Sequence, residues 1–313
     1  MLKFIIIIPF LLFAISSNEY QNKLGIGIDV NWALHKKEIK YYSEKEVKDF
    51  KQKGFNTIRL RFKDKLTSKD LSHLDRIIKD CLNNDLNIVL SNSAQTFKNN
   101  PNNKTMEDLI NLWTKIAKRY KNYPYSLSYD LIIEPGKALN KKKNLPKLNQ
   151  FYKQLYREIR KIDKKRIIMF APIKRSNPFY LKDMWIPEND KYVMAEWHMF
   201  AAGPKKSDFN RNKLNNKTKK EIIKKILTAY KWQKEHKIPT WIGAWMSGNY
   251  NHGNNISIPQ QIIFSKFMIK TLNKYKIPCA INADQQFYNI MKKQFRQDRI
   301  EVLNEILKNP SKR

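Results

Sequence analysis

The sequence predicts one (β/α)₈ barrel, and three observations carry that prediction. Apolar runs of about five to seven residues alternate with amphipathic helical segments along the chain, the pattern of parallel strands joined by crossover helices. Eight such pairs follow one another without a domain-sized interruption or linker, and 313 residues suffice for a barrel core of roughly 250. No Gly-x-Gly-x-x-Gly or Gly-x-x-x-x-Gly-Lys-Ser/Thr loop follows any strand, which counts against a doubly wound open sheet.

The N-terminal stretch stands apart. Lys3 is followed by FIIIIPFLLFAI and then Ser16, Ser17 and Asn18. A positive start, an apolar run of about 12 residues and small residues after it describe a secretory signal, whereas a membrane span needs about 20. Residues 1–17 are therefore expected to be a cleaved signal peptide, with cleavage at Ala14-Ile15-Ser16 and a mature start near Ser17 to Tyr20. Residues 18–313 form the expected barrel, secreted or periplasmic, with no stable membrane span.

The elements follow in order. LGIGIDV is the first strand, and Ser43 with Glu46 forms a capping box opening a helix that Gly54 closes. NTIRLRF is the second strand, a helix starts at Ser68, and LNIVLSN is the third strand. A helix from Thr105 carries Leu109, Leu112, Trp113, Ile116, Ala117 and Tyr120 at a 3.6-residue spacing. LSYDLIIEP is the fourth strand, followed by the helix LPKLNQFYKQLYREIRKI. RIIMFAP is the fifth, with a helical turn around Phe179 to Met184, and YVMAEWHMF is the sixth. A polar loop leads to a helix from Thr218 with Glu221 completing a capping box. TWIGAWM and PCAINAD are the seventh and eighth, each followed by a helix.

Composition narrows the partners. Sixty-one basic against 28 acidic residues give a net charge of +33, which favours anionic partners such as acidic glycans. Lysines are spread through nearly every helix and no aromatic-interleaved basic motif is present, so no nucleic-acid partner is expected. Cys81 falls on an apolar helix face and Cys279 in a strand, so both are expected to be buried thiols. His35, His73, His236 and His252 have no metal-ligand spacing, so neither a metal nor another cofactor is expected. A Gly-x-Ser-x-Gly elbow is absent, and neither cysteine ends a strand. A monomer is expected.

Barrel chemistry sits at the C-terminal strand ends. The polar residues there are Asp29 and Asn31 on strand one, Arg59, Arg61 and Asp64 on strand two, and Ser91, Asn92, Ser93 and Gln95 on strand three. Glu134 ends strand four, Glu196 and His198 strand six, Ala244 strand seven, and Asn282 and Asp284 strand eight. Trp32, Trp197, Phe200, Trp245 and Tyr250 lie at the same level. Carboxylates beside flat aromatics suit a sugar site, because carboxylates move protons and rings stack on pyranose faces.

These passages resemble glycoside hydrolase family 5, the cellulase and mannanase group, over nearly the whole mature sequence. YYSEKEVKDFKQKGFNTIRLRF is similar to the family's opening helix and arginine strand, which puts the family arginine on Arg59. RYKNYPYSLSYDLIIEP resembles the passage ending in Asn-Glu-Pro, which puts the acid/base on Glu134. AEWHMF resembles the segment with a histidine and an aromatic, here His198 and Phe200, and IPTWIGAW resembles the nucleophile strand. The resemblance implies a β-linked polysaccharide or oligosaccharide partner, with Arg59, His198, Trp32, Phe200, Trp245 and Tyr250 shaping its site. The chain departs at Ile133, where the family has asparagine, at Ser93 and Asn282, and above all at Ala244, the nucleophile position. Retaining hydrolysis needs two carboxyl groups about 5–5.5 Å apart, and alanine supplies neither charge nor nucleophile. Three functions stay open: a glycosidase whose second carboxylate is relocated to Glu196, Asp284 or Asp29, a glycan-binding pseudoenzyme, and a basic surface protein docking to acidic polymers.

Overall fold

Eight parallel strands close into a barrel in sequential order. In the computed structural model, which describes residues 14–308, they are β1 (Ile26–Ala33), β2 (Thr57–Phe62), β3 (Asn87–Asn92), β4 (Leu127–Asp130), β5 (Ile168–Phe170), β6 (Val193–His198), β7 (Thr240–Trp245) and β8 (Cys279–Asn282). The predicted fold class is the observed one. Residues 1–13, which carry most of the expected signal peptide, lie outside the described residues.

Local chemistry sets the helix ends. Ser43 and Glu46 form the expected capping box, and Gly54 ends that helix at φ 109°, a left-handed cap that glycine adopts without strain. The helix expected from Thr218 begins earlier, at Asn216, because the Asn215 side chain accepts from the Thr218 N–H and takes the capping role. The fourth strand's regular ladder ends at Asp130 rather than near Pro135, with Leu131 and Ile133 still donating to the Met169 and Asn92 carbonyls. Proline has no N–H to offer a neighbour, and Glu134 stands at φ 50°, which no strand accommodates. Two hairpins escaped prediction, Phe209–Asn210 with Lys213–Leu214 and Tyr288–Asn289 with Gln294–Phe295. Their strands are two residues long, too short for a period-two signal.

Strand residues alternate between the barrel lumen and the outer helices, and the lumen is built in layers. Its lower layer is apolar: Val89, Ile167, Met169, Met194, Trp241 and Ala280 pack with Tyr20 and Leu24 of the helix Ser17–Leu24. Tyr20 is fully buried and donates to Ser128 Oγ at 2.9 Å, closing the barrel floor. Above it lies a polar layer of Asp29, Arg59, Ser91, Asp130 and Glu196, each 0% exposed. The opposite strand faces meet the helices in the main core. Cys81 and Cys279 are both buried, as expected. No helix among the described residues is long and apolar enough to cross a membrane.

Candidate functional site

Arg59 organises the polar layer. From β2 its guanidinium donates to Ser91 Oγ at 3.1 Å and Asp130 Oδ2 at 3.1 Å through Nε. It also reaches Asp29 at 3.4 Å, Glu196 at 3.2 Å and the Gly243 carbonyl at 3.3 Å. The register explains the convergence: Asp29 pairs with Arg59 across β1 and β2, while Ser91 pairs with Asp130 across β3 and β4. A buried ion of this kind is tolerable only when several partners satisfy it. Arg61, one layer higher, binds the same Asp29 through Nε at 2.7 Å and Asn282 Oδ1 at 2.9 Å.

His198 links this layer to the surface. Its Nε2 meets Glu196 below, and its Nδ1 meets Glu134 Oε1 at 3.0 Å above. Burial opposes a charge on the imidazole, but Glu196 and Glu134 outweigh it and raise the His198 pKa to about 9. Burial likewise opposes charge on Glu134, yet His198, Arg61 and Lys98 prevail and hold its carboxyl down at about 2. The pair is therefore an imidazolium against a carboxylate at neutral pH. As the cleft stands, Glu134 has no proton to donate.

Strand β7 carries a bulge here. Trp197 pairs with Ile242 but His198 with Ala244, leaving Gly243 as the extra residue. A Cβ on Gly243 would stand 2.0 Å from Glu196 Oε1, so glycine is what lets the Glu196 carboxylate lie against β7. The insertion turns both Gly243 and Ala244 inward and sends Trp245 outward.

The mouth is a cleft of about 350 Å³. Leu34, Arg61, Ser93, Gln95, Lys98, Ile133, Glu134, Arg175, His198, Ala201, Ala202, Ala244, Asn251, His252 and Asn282 line it. Glu134 is its only carboxylate among the described residues, and its side chain is 34% exposed. Glu134, Phe200, Ala94 and the run Lys174 to Ser176 all have positive φ without being glycine. Such strained backbone gathers at functional mouths more often than elsewhere.

Of the predicted residues, Glu134, His198 and Ala244 come together in the cleft wall, with Arg59 beneath. The three candidate relocated carboxylates lie elsewhere, and Asp29 is 0% exposed beneath the cleft and bound by Arg59 and Arg61. Glu196 is buried under His198 and does not reach the cleft. Asp284 is 4% exposed and accepts from Trp32 Nε1 at 2.9 Å, and burial raises its carboxyl to about 7. The predicted stacking aromatics are also corrected. Trp32 faces outward on β1 and packs on Tyr42 and Phe50, and Trp245 faces outward against Phe264. Both are 0% exposed, so strand alternation puts them in the core. Tyr250 donates to Gln261 Oε1 at 2.6 Å, and Phe200 packs edge-on against Phe264 under Lys225; neither lines the cleft. Asp130, Lys98, Arg175 and Asn251 were not foreseen. The alternation of Ser128 and Asp130 with apolar neighbours was a usable signal for Asp130. Nothing in TFKNN or APIKRSNP distinguishes Lys98 or Arg175 from the many surface cations.

The C-terminal mouth of this (β/α)₈ barrel, where such folds carry their chemistry, thus holds a carboxylate–histidine pair, Glu134 and His198. The sequence matches the cellulase family, glycosyl hydrolase family 5, over residues 18–284, and the chain belongs to that family. Solved structures agree in fold. The endoglucanase Cel5A from Thermotoga maritima superposes with a TM-score of 0.80 at 20% identity, covering 93% of this chain and 100% of that one. The cellulose synthase subunit Z of Clostridioides difficile gives 0.76 at 20% identity, covering 91% and 99%. A broad-specificity endoglucanase from Clostridium longisporum gives 0.79 at 16%, covering 95% and 99%. Structures of the Thermotoga enzyme hold cellobiose and mannotriose. Among curated proteins, none matches the sequence. Family and neighbours together support glycoside hydrolysis as the chemistry this scaffold serves.

Proposed function

We propose that the cleft receives a β-linked oligosaccharide or polysaccharide against Glu134 and His198, and that this family member does not run two-step retaining hydrolysis. One observation carries the reading: Glu134 is the only carboxylate on the cleft wall among the described residues, and Ala244, which the family resemblance sets at the nucleophile position, lines the same wall. The family reaction also needs a proton on its acid, and the ion pair with His198 keeps Glu134 ionised. The cellobiose and mannotriose held by the Thermotoga endoglucanase support a short β-linked sugar chain as ligand. In this reading Glu134, Arg61 and Asn282 are hydrogen-bonding groups for sugar hydroxyls, and the protein recognises a glycan rather than cleaving it. The apolar run between Phe4 and Ile15 supports export, so the glycan would be met outside the cytoplasm.

A second reading draws on Glu196. Its carboxylate lies against Gly243, one residue from Ala244, so a shift of His198 would expose it beside the missing nucleophile. Glu134 and Glu196 would then form the catalytic pair. Titration calorimetry with cellotetraose and β-1,4-mannotetraose, run beside product analysis, separates the two. The proposed function calls for binding without products. Cleavage that is abolished by Glu196→Gln as well as by Glu134→Gln supports the second reading and overturns the first. Absence of binding to every neutral and acidic β-linked oligomer overturns both.

A further inference from the structure

Lys98 is a buried cation with no carboxylate at ion-pair distance among the described residues. It sits on the short helix Gln95–Asn99 after β3 and is 6% exposed. Its ammonium lines the cleft and makes one hydrogen bond, to the Ile133 carbonyl at 2.8 Å. Among the described residues it forms no salt bridge, and Glu134 and Asp64 act on it only without contact, whereas the polar layer beneath satisfies Arg59 with three carboxylates. Buried charges are ordinarily paired, and an ammonium has three donors to place. A lysine on a solvated helix face has water for its donors; Lys98 is nine-tenths withdrawn from it.

The rest of the lining has the same sign. Arg175 projects from the segment after β5, is exposed, and has no ion pair or hydrogen bond to its side chain among the described residues. Arg61 is held by Asp29. Against these three cations the wall offers one carboxylate, Glu134, whose bond goes to His198. A carboxylate at Ala244 would have supplied a second negative charge, and among the described residues none replaces it on the wall.

We propose that the sugar taken by this cleft carries its own negative charge: a β-linked hexuronate whose carboxylate is received by Lys98 and Arg175. The inference rests on the glycan reading of the cleft and names the class of sugar. A planar carboxylate would accept from the ammonium and the guanidinium together, and charge-assisted hydrogen bonds of this kind improve affinity roughly tenfold to a hundredfold. Burial also lowers the Lys98 pKa to about 8, against the pull of Glu134 and Asp64 and with Lys137 and Arg61 adding to the shift. A bound carboxylate reverses that shift, so binding at pH 8 takes up protons.

The test compares cellotriose with the matching β-1,4-linked triglucuronate by titration calorimetry at pH 7 and 0.15 M salt. The triuronate is expected to bind at least tenfold tighter. Lys98→Met and Arg175→Gln are each expected to lower the ratio of the two affinities, with Lys98→Arg retaining most of it. Arg175 is exposed, so its variant reads binding without a folding complication, and thermal unfolding checks the Lys98 variants. Titrations at pH 8 in two buffers of different ionisation enthalpy should show proton uptake that disappears in Lys98→Met. Equal affinity for the two trisaccharides overturns the proposal while leaving the glycan cleft standing. A triuronate preference unchanged in both variants also overturns it, because surface lysines would then be its source. Binding of neither trisaccharide overturns this proposal together with the reading beneath it.

Discussion

Gly243→Ala is the substitution that most directly probes how the site is held. The added methyl would stand 2.0 Å from Glu196 Oε1, 2.8 Å from Cδ and 3.0 Å from Cγ, closer than nonbonded atoms approach. Glu196 is fully buried and held by His198 and by Arg59 at 3.2 Å, so its carboxylate has to leave at least one partner. Breaking a buried, charge-assisted contact costs about 3–5 kcal/mol, equivalent in a chain of this size to a fall in Tm on the order of 5–10 °C. Losing Glu196 also removes the main support for the His198 charge, so the imidazole pKa should fall from about 9 toward its ordinary value. Calorimetric unfolding and an NMR titration of His198 read the two effects separately. Gly54→Ala is the control: its Cβ would meet nothing within 4 Å, so only left-handed strain of about 1 kcal/mol is expected. A Gly243→Ala protein with wild-type stability and an unchanged His198 titration would refute the account of the bulge.

Three further predictions follow from the same geometry. His198 is raised to about 9 in the folded protein against 6.5 when unfolded; its contribution, up to about 3 kcal/mol, is complete below pH 6.5 and lost as pH rises through 9. Lys98 acts in the opposite sense, since its lowered pKa of about 8 imposes a penalty below pH 8 that is relieved toward pH 10.5; denaturant unfolding should therefore show stability falling from pH 6.5 to 8, and Lys98→Met should remove the relief above pH 8. Tyr20→Ala opens the barrel floor and is expected to cost about 3–5 kcal/mol by urea unfolding, with Tyr20→Phe losing only the hydroxyl's bonding to Ser128 and the Ser126 carbonyl, about 1 kcal/mol. Ala244→Glu puts a carboxylate back on the cleft wall, which should raise the Glu134 pKa by like-charge repulsion and permit retaining hydrolysis of an aryl β-cellobioside; a folded variant showing neither change would mean that Ile133 and Asn282 also matter.

The barrel was legible because its signal is redundant. Eight strands and their helices repeat one pattern, and a capping box such as Ser43 with Glu46 needs only local spacing. Glu134, His198 and Ala244 were legible because strand ends converge in a barrel. The aromatic predictions failed on a one-residue question. Trp32 lies three residues after Asp29 on β1, so alternation turns it to the helices, while the Gly243 bulge turns Trp245 the same way. A bulge changes which residue faces the lumen without leaving a mark in composition. Asp284 was found as a residue but misplaced in depth, since sequence gives the face of a strand more readily than the layer, whereas the two-residue step from His198 already set Glu196 one layer deeper. Lys98 and Arg175 had no sequence signal, because only burial separates one of them, and only the cleft wall the other, from dozens of surface cations.

The central claim is that Ala244 leaves a glycan cleft without a second working carboxylate, and one paired measurement addresses it. The wild-type protein would be titrated with the trisaccharides used above, and incubated with aryl β-cellobioside and aryl β-glucuronide at pH 5 to 8. Saturable binding weakened by Arg175→Gln, with no phenol released above a Glu134→Gln control, is the expected result. Turnover that Glu134→Gln abolishes would contradict it, and would mean that a carboxylate now held beneath His198 reaches the sugar after all.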